Sequence, residues 1–303
     1  MKSESLSARL LAIRPYSLGN SVILILIGSA LAYSDNSFFK LPTLLCLAFA
    51  ILMQCTANLV NDLCDFKKGA DREDRLGPDR AIAKGLLTEK ELRRGVVFYT
   101  IAACVAGLGL LAWAIQAGTL TYGGWELVIT GIVCVIFAFL YTAGPWALAY
   151  HGLGDVAVII FFGLVPVGFT YYIQTGGYTL DVFLASMACG LVIDTMLMLN
   201  NFRDREEDVI SRKYTVVVLF GHTFGKWAYL MLGVIASLLC LAMLFEGHIW
   251  AALLPQIYLV AHLRTWRKMA RIDHGAELNT CLSQTARNIL MFGMLFAAGI
   301  MLG

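Results

Sequence analysis

Two short stretches of the chain combine side chains that could hold a cation. The first reads Asn58-Leu-Val-Asn61-Asp62-Leu-Cys-Asp65, with Asp71 six residues further on; the second reads Asn200-Asn201-Phe-Arg203-Asp204-Arg-Glu-Glu-Asp208. Both contain Asn-x-x-x-Asp, at Asn61/Asp65 and Asn200/Asp204, and both members are separated by 139 positions. On a helix, residues four apart share a face. Asn61 and Asp65 therefore point one way, with Asn58 one turn earlier, and so do Asn200, Asp204 and Asp208. Facing carboxylates repel unless a cation lies between them. Oxygen donors without His or Cys suit Mg²⁺ rather than zinc, and Mg²⁺ usually combines a few carboxylates with waters and substrate phosphates. The candidate metal ligands are Asn61, Asp62, Asp65, Asp71, Asn200, Asp204 and Asp208. Arg72, Arg75, Arg80, Lys84, Arg212 and Lys213 lie close behind the two clusters. Carboxylates mixed with such bases are what a metal–diphosphate requires: the metal bridges, and the bases clamp the remaining oxygens. Any single one of these cations could equally belong to a solvated face.

The elements that carry these clusters are set by hydropathy. Of 303 residues 59% are hydrophobic and 15% charged, and mean hydropathy is +0.72. A soluble domain would carry about 25% charged residues. Long apolar runs alternate with short polar stretches, predicting spans near 17–34, 42–61, 94–115, 126–142, 153–174, 181–201, 227–245, 249–263 and 285–302. The expected fold is an all-α integral membrane protein, a single domain over 1–303. About nine transmembrane helices would bundle around a cytoplasm-facing cavity capped by loops 62–93 and 202–226. Barrel strands are shorter than these runs, and lipid offers no water to an open backbone. The first run follows Arg9 and Arg14 without a small-residue cleavage pattern, so it is expected to stay as helix 1. The eight cysteines form no CxxC pair and read as small buried hydrophobes.

Apart from Lys40 and Arg287, all 23 basic residues fall in the N-terminal segment or in the second, sixth and eighth connections. Basic residues mark the cytoplasmic side, which puts the N-terminus and both clusters there, in a cell membrane. The first cluster ends helix 2 and the second ends helix 6, so they can face each other. The longest connection, 62–93, has turn signals at Lys68-Gly69 and Gly77-Pro78 and a polar helix start at Thr88-Glu89; a short helix is expected inside it. Asn58, Asn61, Asn200 and Asn201 lie in or at the edge of apolar helices, where polar groups are costly. Asp194 lies deeper in helix 6, either as a functional group or as the partner of a neighbouring helix.

These residues resemble the UbiA superfamily of intramembrane aromatic prenyltransferases. Beyond the two clusters, Arg14-Pro15, the stretch Arg75-Leu-Gly-Pro-Asp-Arg80-Ala-Ile-Ala-Lys84-Gly85, Tyr141-Thr-Ala-Gly144-Pro145, His151-Gly-Leu-Gly154-Asp155 and Arg212-Lys213-Tyr-Thr215 are similar to the branch that prenylates 1,4-dihydroxy-2-naphthoate. The resemblance spans almost the whole chain. It implies a polyprenyl diphosphate and an aromatic acid as substrates, Mg²⁺ as cofactor, the lipid bilayer as surroundings and no nucleic acid. It also implies Asp65, Asp204 and Asp208 at the centre of catalysis, with Asn58, Tyr141 and Asp194 as candidates for the acceptor or cavity wall. Two departures stand out. Asp71 follows Asp65 by six residues where the simplest family pattern has four, and Tyr214 stands where an Arg is expected. Another aromatic acceptor, such as 4-hydroxybenzoate, remains an alternative. So does a membrane transporter, which the repeat and the intramembrane carboxylates would suit. Against it, the clusters sit at one face and no helix shows an interruption in matched positions.

Overall fold

A computed structural model describes residues 2–69, 76–77 and 80–303, with side chains from residue 7 onward; Asp71, Arg72 and Arg75 lie outside the described residues. The described chain is helical and contains no strand. Its helices are α1 (Lys2–Ile13), α2 (Pro15–Ser34), α3 (Lys40–Lys67), α4 (Glu89–Ala117), α5 (Trp125–Leu140), α6 (Gly154–Ile159), α7 (Val165–Thr175), α8 (Leu180–Arg203), α9 (Arg205–Ile210), α10 (Val216–Phe220), α11 (His222–Ala242), α12 (Ile249–Leu253), α13 (Gln256–Ile272) and α14 (Leu278–Met301). Six segments among the described residues are long and apolar enough to cross a membrane: Pro15–Ser34, Lys40–Lys67, Glu89–Ala117, Gly154–Thr175, Leu180–Arg203 and His222–Glu246. The other three predicted spans coincide with α5, with α12–α13 and with α14. The chain is a multi-pass membrane protein.

Side-chain distribution agrees with a lipid surround. Val97, Ile101, Val105 and Leu108 of α4 are each about three-fifths exposed and fall on one helical face. α8 is the central helix, with 72% of its apolar window buried against 22% for α4. Lipid tails are as apolar as Leu, so such helices associate through close packing of small residues. Gly28 of α2 meets α7 in this way: a Cβ there would lie 2.5 Å from the Val167 carbonyl oxygen. α3 packs on α4 as α8 packs on α11. α2 and α3 begin at Pro15 and Lys40, while α6 and α8 begin at Gly154 and Leu180, close to the offset that separates the two clusters.

Several local expectations change. α1 precedes the first span, where sequence reading placed no helix. Between α3 and α4 the described residues hold a turn at Arg80–Leu86 and no separate helix, whereas the polar start at Thr88 is a capping box with Glu91. Two spans are interrupted. A π-turn at Ile160–Leu164, with Phe162 outside helical geometry, joins α6 to α7, and Leu254-Pro255 separates α12 from α13. Gly163, Pro166 and Pro255 carry the local signals, but none of them interrupts the apolar run. The two breaks do not occupy matched places in the repeat.

Candidate active site

The last turns of α3 present the first cluster. Tyr150, from the α5–α6 connection, donates its hydroxyl to Asp65 Oδ1 at 3.0 Å, and the Thr142 hydroxyl donates to Asn61 Oδ1. Lys68 Nζ donates to the Thr142 carbonyl at 2.8 Å and stands 3.7 Å over the Tyr150 ring. This connection therefore wraps the end of α3 and fixes both ligand candidates. One turn earlier, Asn58 donates to the Ile13 carbonyl at 2.8 Å and to Ser17 Oγ at 3.1 Å, tying α3 to the α1–α2 junction.

The second cluster closes α8. Asn200 Nδ2 donates to the Met196 carbonyl at 2.9 Å, so Oδ1 is the atom left for a cation. Arg203, 3% exposed, clasps Asp204 through Nε and Nη2 at 2.5 and 2.7 Å and reaches Asn279 Oδ1 of α14 at 2.8 Å. Asn279 in turn donates to the Leu76 carbonyl at 2.9 Å, and the Leu76 amide donates to Glu207 Oε1 at 3.0 Å. The connection between α3 and α4 is thus bonded to both α9 and α14.

Asp208 pairs with Lys213 Nζ at 3.2 Å, and its Oδ2 is buried without a partner. Burial pushes the Asp208 carboxyl up to about 6; Lys213 opposes this and Asp204 reinforces it. Burial alone would lower the Lys213 ammonium, but Asp208, Asp65 and Asp204 outweigh it and hold it above its usual value.

Between the clusters opens a cavity of about 760 Å³. Its polar mouth includes Asn58, Asn61, Asp65, Arg80, Asn200, Asp204 and Lys213, with Tyr141 on the wall. Along α3 it is lined from Asp65 down to Cys46, a depth of roughly 28 Å at 1.5 Å per residue. Phe49, Phe137, Phe161, Phe162 and Phe169 line the deeper part, with the Phe137 and Phe161 rings 4.5 Å apart.

Asp62, Asp194, Asp208, Lys84 and Arg212 do not line this cavity. Asp208 stands behind Lys213. Lys84 and Arg212 are exposed, the latter in a left-handed turn after α9. Asp194 is buried in α8. Asp62 departs most from expectation. It is 1% exposed and ion-paired with Arg14, from the α1–α2 junction, and with Arg80, from the connection after α3, the latter at 2.9 Å. The geometry makes it an anchor for two arginines. Asp62→Ala would strand two buried cations. It is expected to lower folding stability by about 3–5 kcal/mol while changing divalent-cation affinity little in the folded fraction; thermal melts and metal titration check this.

Arg203, Tyr150, Thr142, Lys68, Asn279 and Arg14 were not singled out as site residues. Arg203 carried a readable signal, being a cation inside the second motif. The others depend on tertiary placement. Among the described residues no three His, Cys, Asp or Glu side chains converge on one point. The donors from the two helix ends nevertheless fit Mg²⁺ of the kind completed by diphosphate oxygens and water: all are hard oxygens, and one buried Asp208 oxygen is without a partner.

Fold and site together define a multi-pass helical membrane protein whose deep apolar cavity has an oxygen-rich, base-flanked mouth. Residues 21–300 match the UbiA prenyltransferase family, and the chain belongs to it. It is 35% identical to the 1,4-dihydroxy-2-naphthoate octaprenyltransferase of Escherichia coli K12 over 298 residues, covering 96% of this chain and 94% of that one. It is 33% identical to the octaprenyltransferase of the same description from Haemophilus influenzae, with the same coverage. The fold is shared with a UbiA homolog from Archaeoglobus fulgidus bound to GPP and Mg²⁺, at a TM-score of 0.67, 14% identity and coverage of 97% of this chain and 99% of that one.

Proposed function

We propose that this protein transfers a polyprenyl group from its diphosphate to 1,4-dihydroxy-2-naphthoate, releasing diphosphate and CO₂ and giving demethylmenaquinol. The observation that carries the reading is the pairing of two Asn-x-x-x-Asp helix ends at the mouth of a deep, aromatic-lined apolar cavity, in a chain similar along nearly its whole length to naphthoate octaprenyltransferases. Asn61, Asp65, Asn200, Asp204 and Asp208 would hold Mg²⁺, with Asp71 as a further candidate. When bound, Mg²⁺ supplies positive charge that stabilises the departing diphosphate. Arg80 and Lys213 take the remaining phosphate oxygens, with Arg72 proposed beside them. Arg203, which also lines the cavity, would add a further guanidinium at the same point. The apolar walls bind the prenyl chain, exclude water from the allylic cation and face it with aromatic rings. Tyr141 and Asn58, which line the cavity, are the proposed contacts for the acceptor.

The test is purified protein with a prenyl diphosphate, Mg²⁺ and a panel of aromatic acids, with products identified by mass. Prenylated naphthoquinol is the expected product; turnover of 4-hydroxybenzoate without the naphthoate would overturn the acceptor. Excess EDTA is expected to abolish turnover and Mg²⁺ to restore it, and full activity in EDTA would remove the metal from the scheme.

The bundle is read as nine membrane crossings with the N-terminus and site facing the cytoplasm, in the cell membrane. A cysteine at Arg212 should then react with an impermeant thiol reagent only from the cytoplasmic side, and one at Gly123 only from the other. Labelling of both from one side would break the orientation.

A further inference from the structure

A second acidic element adjoins the cavity outside both Asn-x-x-x-Asp motifs. Asp155 lies in the first turn of α6 and Asp194 within α8. Both belong to apolar spans, where ionisable groups are costly and tend to mark function. Helix register brings them together. Gly163 and Gly190 let the α6–α7 span and α8 approach to backbone contact: a Cβ on Gly190 would lie 2.7 Å from the Ile159 carbonyl oxygen. Asp155 precedes Ile159 by one turn, and Asp194 follows Gly190 by one turn. The two spans are joined by a short connection at 176–179 and run antiparallel, so both carboxyls fall at one level, within reach of each other's charge.

Both groups are buried and underused. Asp194 is 1% exposed and Asp155 9% exposed, and among the described residues the Oδ1 of each has no hydrogen-bond partner. Asp155 lines the cavity. The Tyr141 hydroxyl stands beside it, 3.5 Å from where a Cβ on Gly154 would be. A dry carboxyl oxygen without a partner is expensive, and a carboxyl group on a residue that lines a cavity is suited to a hydroxyl on a ligand.

We propose that Asp155 is a catalytic base that accepts the proton of an acceptor ring hydroxyl, with Asp194 as the positioning residue behind it. This rests on the naphthoate reading above. As the ring carbon bearing the carboxylate bonds to the prenyl carbon, the adjacent hydroxyl gives its proton to Asp155 and its oxygen becomes a ketone. The product of that step is a β-keto acid. The C–CO₂ bond then breaks, its electron pair restores the aromatic ring and leaves the ketone oxygen as a phenolate, and Asp155 returns the proton to it. No net proton, oxidant or reductant is consumed. Asp194, dry and without a counter-cation, is suited to sharing a proton with Asp155 when the latter is charged.

The groups facing Asp155 that bear on a pH profile are Asp194 from α8, Tyr141 after α5 and Lys213 after α9. Asp155→Asn is expected to lower transfer to the naphthoate at neutral pH by at least about 100-fold. Naphthoate binding, read by its fluorescence, and Mg²⁺-dependent prenyl diphosphate binding should stay within a few-fold. The loss should shrink as pH rises toward ionisation of the acceptor hydroxyl itself. Asp155→Glu should recover part of the rate, and Asp194→Asn should shift the pH profile without removing acceptor binding. Wild-type protein in the same assay separates the two ideas. Absent wild-type turnover of the naphthoate strikes the proposed reaction and this assignment with it. Wild-type turnover with an unimpaired Asp155→Asn, or with a loss equal at every pH, strikes the role of Asp155 alone.

Discussion

Asp65→Ala is expected to reduce prenyl transfer by about 1,000-fold, the scale of losing a preorganised group that stabilises transition-state charge. Asp65 is the carboxylate of the α3 cluster that lines the cavity, and the Tyr150 hydroxyl holds it there. Removing it should leave the fold intact, since it carries no buried ion pair of the kind that fixes Asp62. Asp208 makes a complementary case. Its carboxyl titrates near 6 in the folded chain against an ordinary 3.8. The unfolded chain ionises first, so ionised Asp208 destabilises the metal-free fold; the cost begins above pH 3.8 and is complete above about 6. Asp208→Asn should therefore lose activity like Asp65→Ala yet melt higher than wild type in EDTA at neutral pH, with the advantage fading below about pH 4. Near-normal turnover at saturating Mg²⁺ would strip either residue of its role.

The second large effect is all-or-none. With carboxyl-labelled 1,4-dihydroxy-2-naphthoate, one labelled CO₂ should leave for every prenylated product. A hydroquinone ring is electron-rich enough to trap an allylic cation. Attack at the carbon bearing the carboxylate makes CO₂ the group whose departure restores aromaticity. Prenylation of 4-hydroxybenzoate differs because a proton leaves and the carboxylate stays. Prenylated product that retains the label would show attack at another ring position and would refute this chemistry.

Much of the architecture was legible because a bilayer imposes a length on each apolar run. α2, α3, α4 and α8 sit where hydropathy placed them. The paired clusters were legible because residues four apart share a helix face, which put Asn61 with Asp65 and Asn200 with Asp204 before any tertiary information. The same rule could not set Asp62 aside, since it lies four residues after Asn58 and three before Asp65. Arg14 pairs with it from 48 positions away, and no local pattern reports a contact of that kind. Tyr150, Thr142 and Asn279 were hidden for the same reason, each reaching the site from a connection or helix whose course is set by packing. The π-turn at Phe162 was unreadable because it interrupts hydrogen bonding without interrupting hydropathy. Lys84 and Arg212 were grouped with the site by nearness in sequence, but each lies on the outer side of its turn.

Asn61 and Asp65 occupy the last two turns of α3, and Asn200 the last turn of α8, whose C-cap is Asp204. A helix C-terminus carries roughly half a negative charge on its unsatisfied carbonyls. Two such ends converge here beside Asp65, Asp204 and Asp208. Proteins that bind phosphates without a metal commonly offer them helix N-termini; this mouth has the opposite polarity. The two helix ends therefore favour a cation over a bare prenyl diphosphate, and Arg80 and Lys213 are the groups at the mouth that oppose this. Under the proposed function, the direction of the two helices favours loading the cation before the diphosphate or together with it.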